Sequence, residues 1–273
     1  AHPTLSDFAQ MAASAGAVSE PAIGLADRDQ PLPLSWSQQR LWFLDQLDAA
    51  ASAAYHMPVG LRLTGSLNRA ALKATLDRVV ARHESLRTRF VSIEGTPRQE
   101  IAQADVGFAL IEEDLSALEE AQQRLAIEAQ RRAEARERLD LSTGPLIRGR
   151  LLKLSEQESV LLVTQHHIIS DGWSIGILVR EVSALYSAYC QGQADPLPAL
   201  PIQYADYAAW QREWLRDETL ERQLTFWRDH LRGAPELLAL PTDRARPPVQ
   251  SYAGDRVPVK LNAELTAGLR SLS

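Results

Sequence analysis

An apolar run, Val160 to Val163, leads into Gln165-His166-His167-Ile168-Ile169-Ser170-Asp171-Gly172-Trp173-Ser174, after which a helical apolar pattern begins. This stretch constrains the fold more than any other. A strand apolar on both faces belongs at the centre of a sheet covered on both sides. The chain must then turn and start a helix, so the expected class is α/β, an α+β sandwich of helices on a sheet. Successive side chains of a strand point to opposite faces, so His166 and His167 are expected to meet different environments.

The 273 residues are 45% hydrophobic and 23% charged, enough for one large or two modest domains. The formal net charge is −6, and the basic residues are scattered among acidic ones. That distribution gives no support for nucleic-acid binding. Cys190 is the single cysteine, which excludes an internal disulfide and a Cys-rich metal site and suits a reducing compartment. It ends a helical run with no base beside it, so no catalytic role is expected. No stretch approaches the ~20 apolar residues of a membrane span, and the N-terminus lacks a signal-peptide pattern. A cytoplasmic location is therefore expected. A start at Ala1-His2-Pro3 and an end at Leu272-Ser273 just after a helix start suggest a piece of a longer protein.

Along the chain, Thr4 to Ser14 reads as a short helix with Leu5, Phe8, Ala9 and Ala12 on one face and Gly16 as its stop. Residues 15–31 are small, acidic and aperiodic, hence a linker. Pro31 to Leu34 reads as extended, followed by a helix capped by Ser35 or Ser37. Tyr55 to Leu63 alternates as a strand does. Asn68 caps a helix whose apolar face is Leu72, Leu76, Val79 and, in phase with them, His83. His83 is expected to be a hydrogen-bonded core histidine, not a catalytic one.

Thr88–Ile93 and Pro97–Ile101 form a hairpin around Glu94-Gly95-Thr96. Ser116 and Glu119 read as a capping box for a long helix to about Arg138. Leu146–Leu154 and Val160–Ile169 are strands around a polar turn. The helix after Gly172 carries Ile175, Leu178, Val179, Val182, Leu185, Tyr186 and Tyr189 on one face. Residues 191–203 form a Pro-rich linker between lobes. Tyr204 to His230 is an aromatic helical stretch, with Tyr207, Trp210, Trp214, Phe226 and Trp227 expected in a core or lobe interface. Pro235 to Val249 is irregular, Val257 to Leu261 is a candidate strand, and a helix starts at Ala263.

A histidine at a strand end, four residues before an aspartate and a glycine, is an economical acid/base device, because histidine titrates near cytoplasmic pH. The glycine permits a sharp turn. The aspartate is expected to brace the turn by pairing with an arginine. Metal binding by the two histidines is disfavoured, since neighbours on a strand diverge and no third ligand is suitably spaced.

The doubled histidine with its aspartate and glycine resembles the HHxxxDG signature of condensation domains of nonribosomal peptide synthetases, within the chloramphenicol-acetyltransferase-like acyltransferases. Three further stretches resemble that family's motifs in its order: Ser35-Trp36-Ser37-Gln38-Gln39-Arg40-Leu41-Trp42-Phe43-Leu44, Arg82-His83-Glu84-Ser85-Leu86-Arg87-Thr88-Arg89-Phe90, and Tyr204-Ala205-Asp206-Tyr207-Ala208-Ala209-Trp210-Gln211. His2-Pro3-Thr4-Leu5-Ser6-Asp7-Phe8-Ala9 is similar to the last helix of a carrier protein.

The resemblance implies a division of the chain. Residues 1–16 would end a carrier domain and 17–31 would be a linker. Residues 32–190 would form the N-terminal chloramphenicol-acetyltransferase-like lobe, 191–203 a crossing linker, and 204–273 the incomplete beginning of a second, similar lobe. It implies amide formation between substrates carried on 4'-phosphopantetheine arms of donor and acceptor carrier domains, beside an adenylation domain, with no metal and no cofactor bound covalently in residues 1–273. His167 would position the acceptor amine or accept its proton, and His166 would be structural. Gly172 would offer its N–H to an oxyanion, and Asp171 would pair with Arg82 by motif position or Arg87 by helical phase. On this basis His167→Ala should be folded and inactive, and Asp171→Asn should lose both activity and rigidity. The later motifs of the family fall beyond residue 273, so residues 1–273 alone are expected to be inactive. An epimerization domain of the same superfamily and a non-catalytic carrier-docking module are the alternatives.

Overall fold

A computed structural model describes residues 4–6, 9–10, 21–47, 52–238, 240–245, 247–248, 257 and 259–272. The helix expected over Thr4–Ser14 lies largely outside the described residues, though Leu5–Ser6 and Ala9–Gln10 are helical. The elements that follow are β1 (Leu32–Pro33), α1 (Trp36–Leu47), β2 (His56–Thr64), α2 (Arg69–Arg82), a 3-10 turn (Glu84–Arg87), β3 (Thr88–Ile93) and β4 (Thr96–Ile101). After a second 3-10 turn (Ala104–Val106) come β5 (Ala109–Asp114), α3 (Glu120–Arg136), β6 (Ile147–Ser155), β7 (Glu158–His166) and α4 (Gly172–Cys190). The last elements are α5 (Tyr204–Trp214), α6 (Asp217–His230) and α7 (Ala263–Leu272).

The main sheet has the order β2-β7-β6-β5, antiparallel except for the parallel β5–β6 pair. β7 is central and covered on both faces, as its sequence requires. Leu161 joins Leu72, Leu76, Val79 and Leu185 in the larger core, on the face covered by α2 and α4. Val160 and Leu162 join Leu115, Leu152 and Leu154 in a smaller core under Ala126 and Ile127 of α3. Leu152 and Leu185 are wholly buried, and each such side chain contributes roughly 1.5–3 kcal/mol. Gly149 of β6 is where the sheet admits an aromatic ring: a Cβ there would stand 2.7 Å from Cε1 of Phe108.

The second sheet, β1-β4-β3, contains the expected hairpin. Its turn places Glu94 and Gly95 at φ of 51° and 78°, the left-handed backbone of a two-residue hairpin turn. The capping expectations hold for α1 and α2. Gln38 N–H donates to Ser35 Oγ at 3.2 Å, and Ala71 N–H donates to Asn68 Oδ1 at 3.0 Å.

Several expectations change. α3 is capped by Glu119 with Gln122, not by Ser116, which donates its N–H and hydroxyl to Asp114 in the preceding turn. The strand expected to reach Ile169 ends at His166, where pairing with β2 stops. The helical stretch after Tyr204 breaks at Leu215-Arg216, and Asp217 opens α6 with φ of 47°. Phe226 and Trp227 on α6 are exposed, whereas Tyr207, Trp210 and Trp214 on α5 are half-buried. Among the described residues of 257–261 no strand forms. Among the described residues no helix is long and apolar enough to cross a membrane.

Candidate active site

The last ladder pair of β7 is His56 with His166, and beyond it the chain turns through His167–Ser170 into α4. His166 is wholly buried on the α3 side of the sheet. Its Nδ1 accepts the N–H of Ile168 at 3.1 Å, which leaves the ring proton on Nε2, 3.5 Å from Ser52 Oγ. The ring meets His56 edge to face, centroids 5.9 Å apart. Burial first, then the neighbouring His56 and His167, push its pKa down from 6.5 to about 3. It is therefore neutral at physiological pH. His56 is depressed too, mainly by burial.

His167 lies on the other side and is exposed. Its backbone N–H donates to Tyr55 O at 2.8 Å, and its ring makes no hydrogen bond among the described residues. It borders a cavity of about 430 Å³ shared with Ser37, Tyr55, Ser85, Ser170, Asp171 and Tyr204. The expected separation of the two histidines is thus present: one ring is locked in the core and one faces open space.

Asp171 caps α4. Its Oδ1 accepts the N–H of Ser174 at 2.9 Å and the Ser174 hydroxyl at 2.6 Å. These two bonds, the hydroxyl first, hold its pKa below the ordinary carboxylate value. Asp171 is exposed, and the expected pairing with Arg82 or Arg87 does not form. Arg82, 8% exposed, instead donates from Nε to Glu181 Oε1 at 3.1 Å and from Nη1 to Pro198 O. Glu181 Oε2 also meets His83 Nε2 at 2.6 Å, so His83 is hydrogen-bonded as expected, but it is half-buried instead of core, because α2 ends at Arg82 and His83 follows in extended backbone. Arg87 bonds Ala102 O and lies 4.0 Å from Glu84. The reason is positional: the motif arginine at the end of α2 faces the middle of α4, where Glu181 sits, not its start.

Gly172 is the first residue of α4, and its φ is not left-handed. A turn is therefore not what requires glycine here. A Cβ at Gly172 would meet nothing within 4 Å, so its lack of a side chain leaves open space beside its N–H, where a helix N-terminus carries partial positive charge.

Several site residues escape the sequence reading. Ser170 is 7% exposed and its Oγ has no partner among the described residues, yet it borders the His167 cavity. Tyr204 is brought in by α5, its hydroxyl 3.0 Å from Ser35 Oγ and its pKa raised by burial. The fourth motif contains Tyr204, Ser170 lies at an unassigned position of the histidine signature, and Tyr55 opens an alternating run, but the sequence singles out none of them as a site residue. A larger depression of about 680 Å³ lies between residues 21–26 and the α5–α6 corner, but it contains no histidine. The smaller cavity is the candidate site because the motif residues converge there. Metal ligation has no basis in the histidine pair, since the Nδ1 lone pair of His166 is occupied and the two rings diverge.

Residues 28–273 match the family model described as "Condensation domain". The chain belongs to the condensation domain family. Malpibaldin synthetase of Mortierella alpina is 48% identical over 278 residues, covering 100% of this chain and 5% of that protein. A linear gramicidin synthase of Brevibacillus parabrevis is 47% identical over 253 residues, covering 93% of this chain and 5% of that protein. Among solved structures, the X-domain from teicoplanin biosynthesis superposes with a TM-score of 0.70 at 36% identity, over 85% of this chain and 50% of that one. The starter condensation domain of rhizomide synthetase shares the fold, with a TM-score of 0.67 at 23% identity over 76% and 49%. This condensation domain sequence therefore spans about half the length of those solved chains and about a twentieth of those synthetases. Its architecture is that of the chloramphenicol-acetyltransferase-like fold.

Proposed function

We propose that this condensation domain forms the amide bond of nonribosomal peptide synthesis. The acceptor amine, on one carrier protein's phosphopantetheine arm, attacks the thioester carbonyl on another. A C–N bond forms, the C–S bond breaks, and the donor arm leaves as its thiol. The observation that carries this reading is the His167 ring, with no hydrogen bond among the described residues, facing a cavity that Asp171 and Ser174 at the N-terminus of α4 also line. His167 positions the amine or takes its proton, and the Gly172 N–H faces the developing oxyanion. Holding two tethered reactants together supplies much of the rate. Asp171 and His166 shape the loop without touching the reacting atoms.

The same reading assigns residues 1–16 to a preceding carrier domain, 17–31 to a linker, 32–190 and 204–273 to the two lobes, and 191–203 to the crossing. It places the protein in the cytoplasm beside carrier and adenylation domains. In the full-length protein with loaded donor and acceptor carriers, amide product should appear by mass spectrometry and fall by about 10²-fold or more in His167→Ala, with the fold retained. Undiminished product in folded His167→Ala would refute the role of His167. Deuterium exchange at the donor α-carbon without amide would instead identify an epimerase, and carrier binding with neither reaction would identify a docking module.

A further inference from the structure

Ser170 stands apart from the other hydroxyls around the His167 cavity. Ser174 donates to Asp171 Oδ1, and Tyr204 is bonded to Ser35, whose Oγ also receives the Gln38 N–H. Ser37 is exposed and Tyr55 and Ser85 are half-buried, so water serves their hydroxyls. Ser170 borders the same cavity, yet it is 7% exposed, and its Oγ is closed to water and has no partner among the described residues. Of the buried side-chain polar atoms without a partner among the described residues, this one alone belongs to a residue of the His167 cavity. Burying a hydroxyl unmet is costly, and folded proteins avoid it. A serine at such a place is explained if its bond forms only with substrate.

The nature of that bond follows from the reaction. A primary amine has two hydrogens and one lone pair. During attack the lone pair must face the thioester carbonyl, and one hydrogen faces the His167 ring that positions it or takes its proton. The second hydrogen needs an acceptor, or it is buried unmet in turn. His167 and Ser170 stand on one turn, fixed by the bonds of Ile168 to His166 and Gln38, and both border the cavity. A serine oxygen can accept such a bond and keep its own proton. Turning Oγ toward the cavity is a step between staggered rotamers about Cα–Cβ, and with no partner among the described residues the step breaks no hydrogen bond. Ser174 has no such freedom, since its hydroxyl holds Asp171.

We propose that Ser170 Oγ accepts the second N–H of the acceptor amine, so that His167 and Ser170 together hold the nitrogen with its lone pair toward the donor carbonyl. This contact rests on the amide-forming reading above and favours primary over N-alkylated amines. One amine proton leaves through His167, and Ser170 neither gains nor loses one. An N-methyl amine has a single hydrogen, which His167 requires, so its methyl must face Ser170. The test uses the full-length protein with one fixed donor and acceptor carriers loaded with glycyl or sarcosyl (N-methylglycyl) groups, comparing single-turnover rates within each protein. In Ser170→Ala the glycyl-to-sarcosyl rate ratio should fall by about fivefold or more, and the urea midpoint should stand at or above that of wild type, because an unmet hydroxyl is gone. Ser170→Cys keeps the bulk with a weaker acceptor, so it should lower the ratio as well, and it decides the contact if alanine leaves a gap. An unchanged ratio, including one in which both rates fall alike, overturns the contact and leaves amide formation standing. Urea midpoints well below wild type in both variants would show that the hydroxyl already has a partner in the fold, and would overturn it too. No product with either acceptor in the wild type overturns the amide-forming reading and this inference together.

Discussion

Replacing His166 by asparagine separates its structural work from the chemistry of its neighbour. The buried ring has a pKa of about 3 against 6.5 for free histidine. The unfolded chain therefore takes up this proton first as pH falls. The stability held by the neutral ring is complete above about pH 6.5 and is lost progressively from there toward pH 3. One pKa unit is worth about 1.4 kcal/mol, so at pH 4.5 the wild type has lost about 2.7 kcal/mol through this group alone. Asparagine does not titrate, and its Oδ1 offers an acceptor for the Ile168 N–H that Nδ1 now receives. His56 titrates in both proteins and largely cancels in the comparison.

The assay is urea unfolding of wild type and His166→Asn at pH 7.5 and 4.5. The stability advantage of the wild type at pH 7.5 should shrink by about 2–3 kcal/mol at pH 4.5. A difference independent of pH would refute the buried, neutral state of His166. So would a variant that loses the same stability on acidification as the wild type.

Three other perturbations test the surroundings of the loop. Glu181→Gln leaves Arg82 buried without its counter-charge and weakens the bond to His83, so the urea midpoint should fall by the equivalent of about 3–5 kcal/mol; an unchanged midpoint would show that the clamp between α2 and α4 does not hold them. Gly172→Ala should leave stability unchanged or raise it by up to ~1 kcal/mol, since its Cβ meets nothing, while amide formation falls because the methyl occupies the space beside the N–H. Full turnover in that variant would remove Gly172 from the site. Asp171→Ala should cost about 1 kcal/mol by loss of the α4 cap, while Asp171→Asn, an equally good cap, should melt within a degree or two of wild type.

That last outcome reverses the expectation from sequence, and the reason shows what the sequence carries. Local signals are legible: β7 from its doubly apolar run, the hairpin from Glu94-Gly95, the cap of α2 from Asn68, and the opposed histidines from the two-residue period of a strand. β5 is not, because Glu112, Glu113 and Asp114 give it no apolar alternation; it is an edge strand whose charges meet Arg69, Arg150 and Lys153 on neighbouring elements. Pairings between distant segments are the least legible. An arginine needs a carboxylate, but Asp171 and Glu181 stand on the same helix region, and only the packing of α2 across α4 selects Glu181 for Arg82. Ser170 and Tyr55 reach the site through the turn and the start of β2; the alternation that includes Tyr55 marks a strand, not a site.

The loop itself explains why two adjacent histidines serve better than one. Once the β2–β7 ladder ends at His56 and His166, the backbone of Ile168 has lost its ladder partners, and it is buried. Its N–H is received by Nδ1 of His166, and its carbonyl accepts from Nε2 of Gln38, which is itself held between Ser35 and Gln99. Both groups are thus satisfied by side chains of the core instead of by water, which is the condition for an irregular backbone to stay fixed at this depth. A protonated His166 could not accept the Ile168 N–H, so the burial that depresses its pKa also preserves the turn. His167, freed from that duty and pointed the other way by the same turn, is the only one of the pair whose ring can meet a substrate.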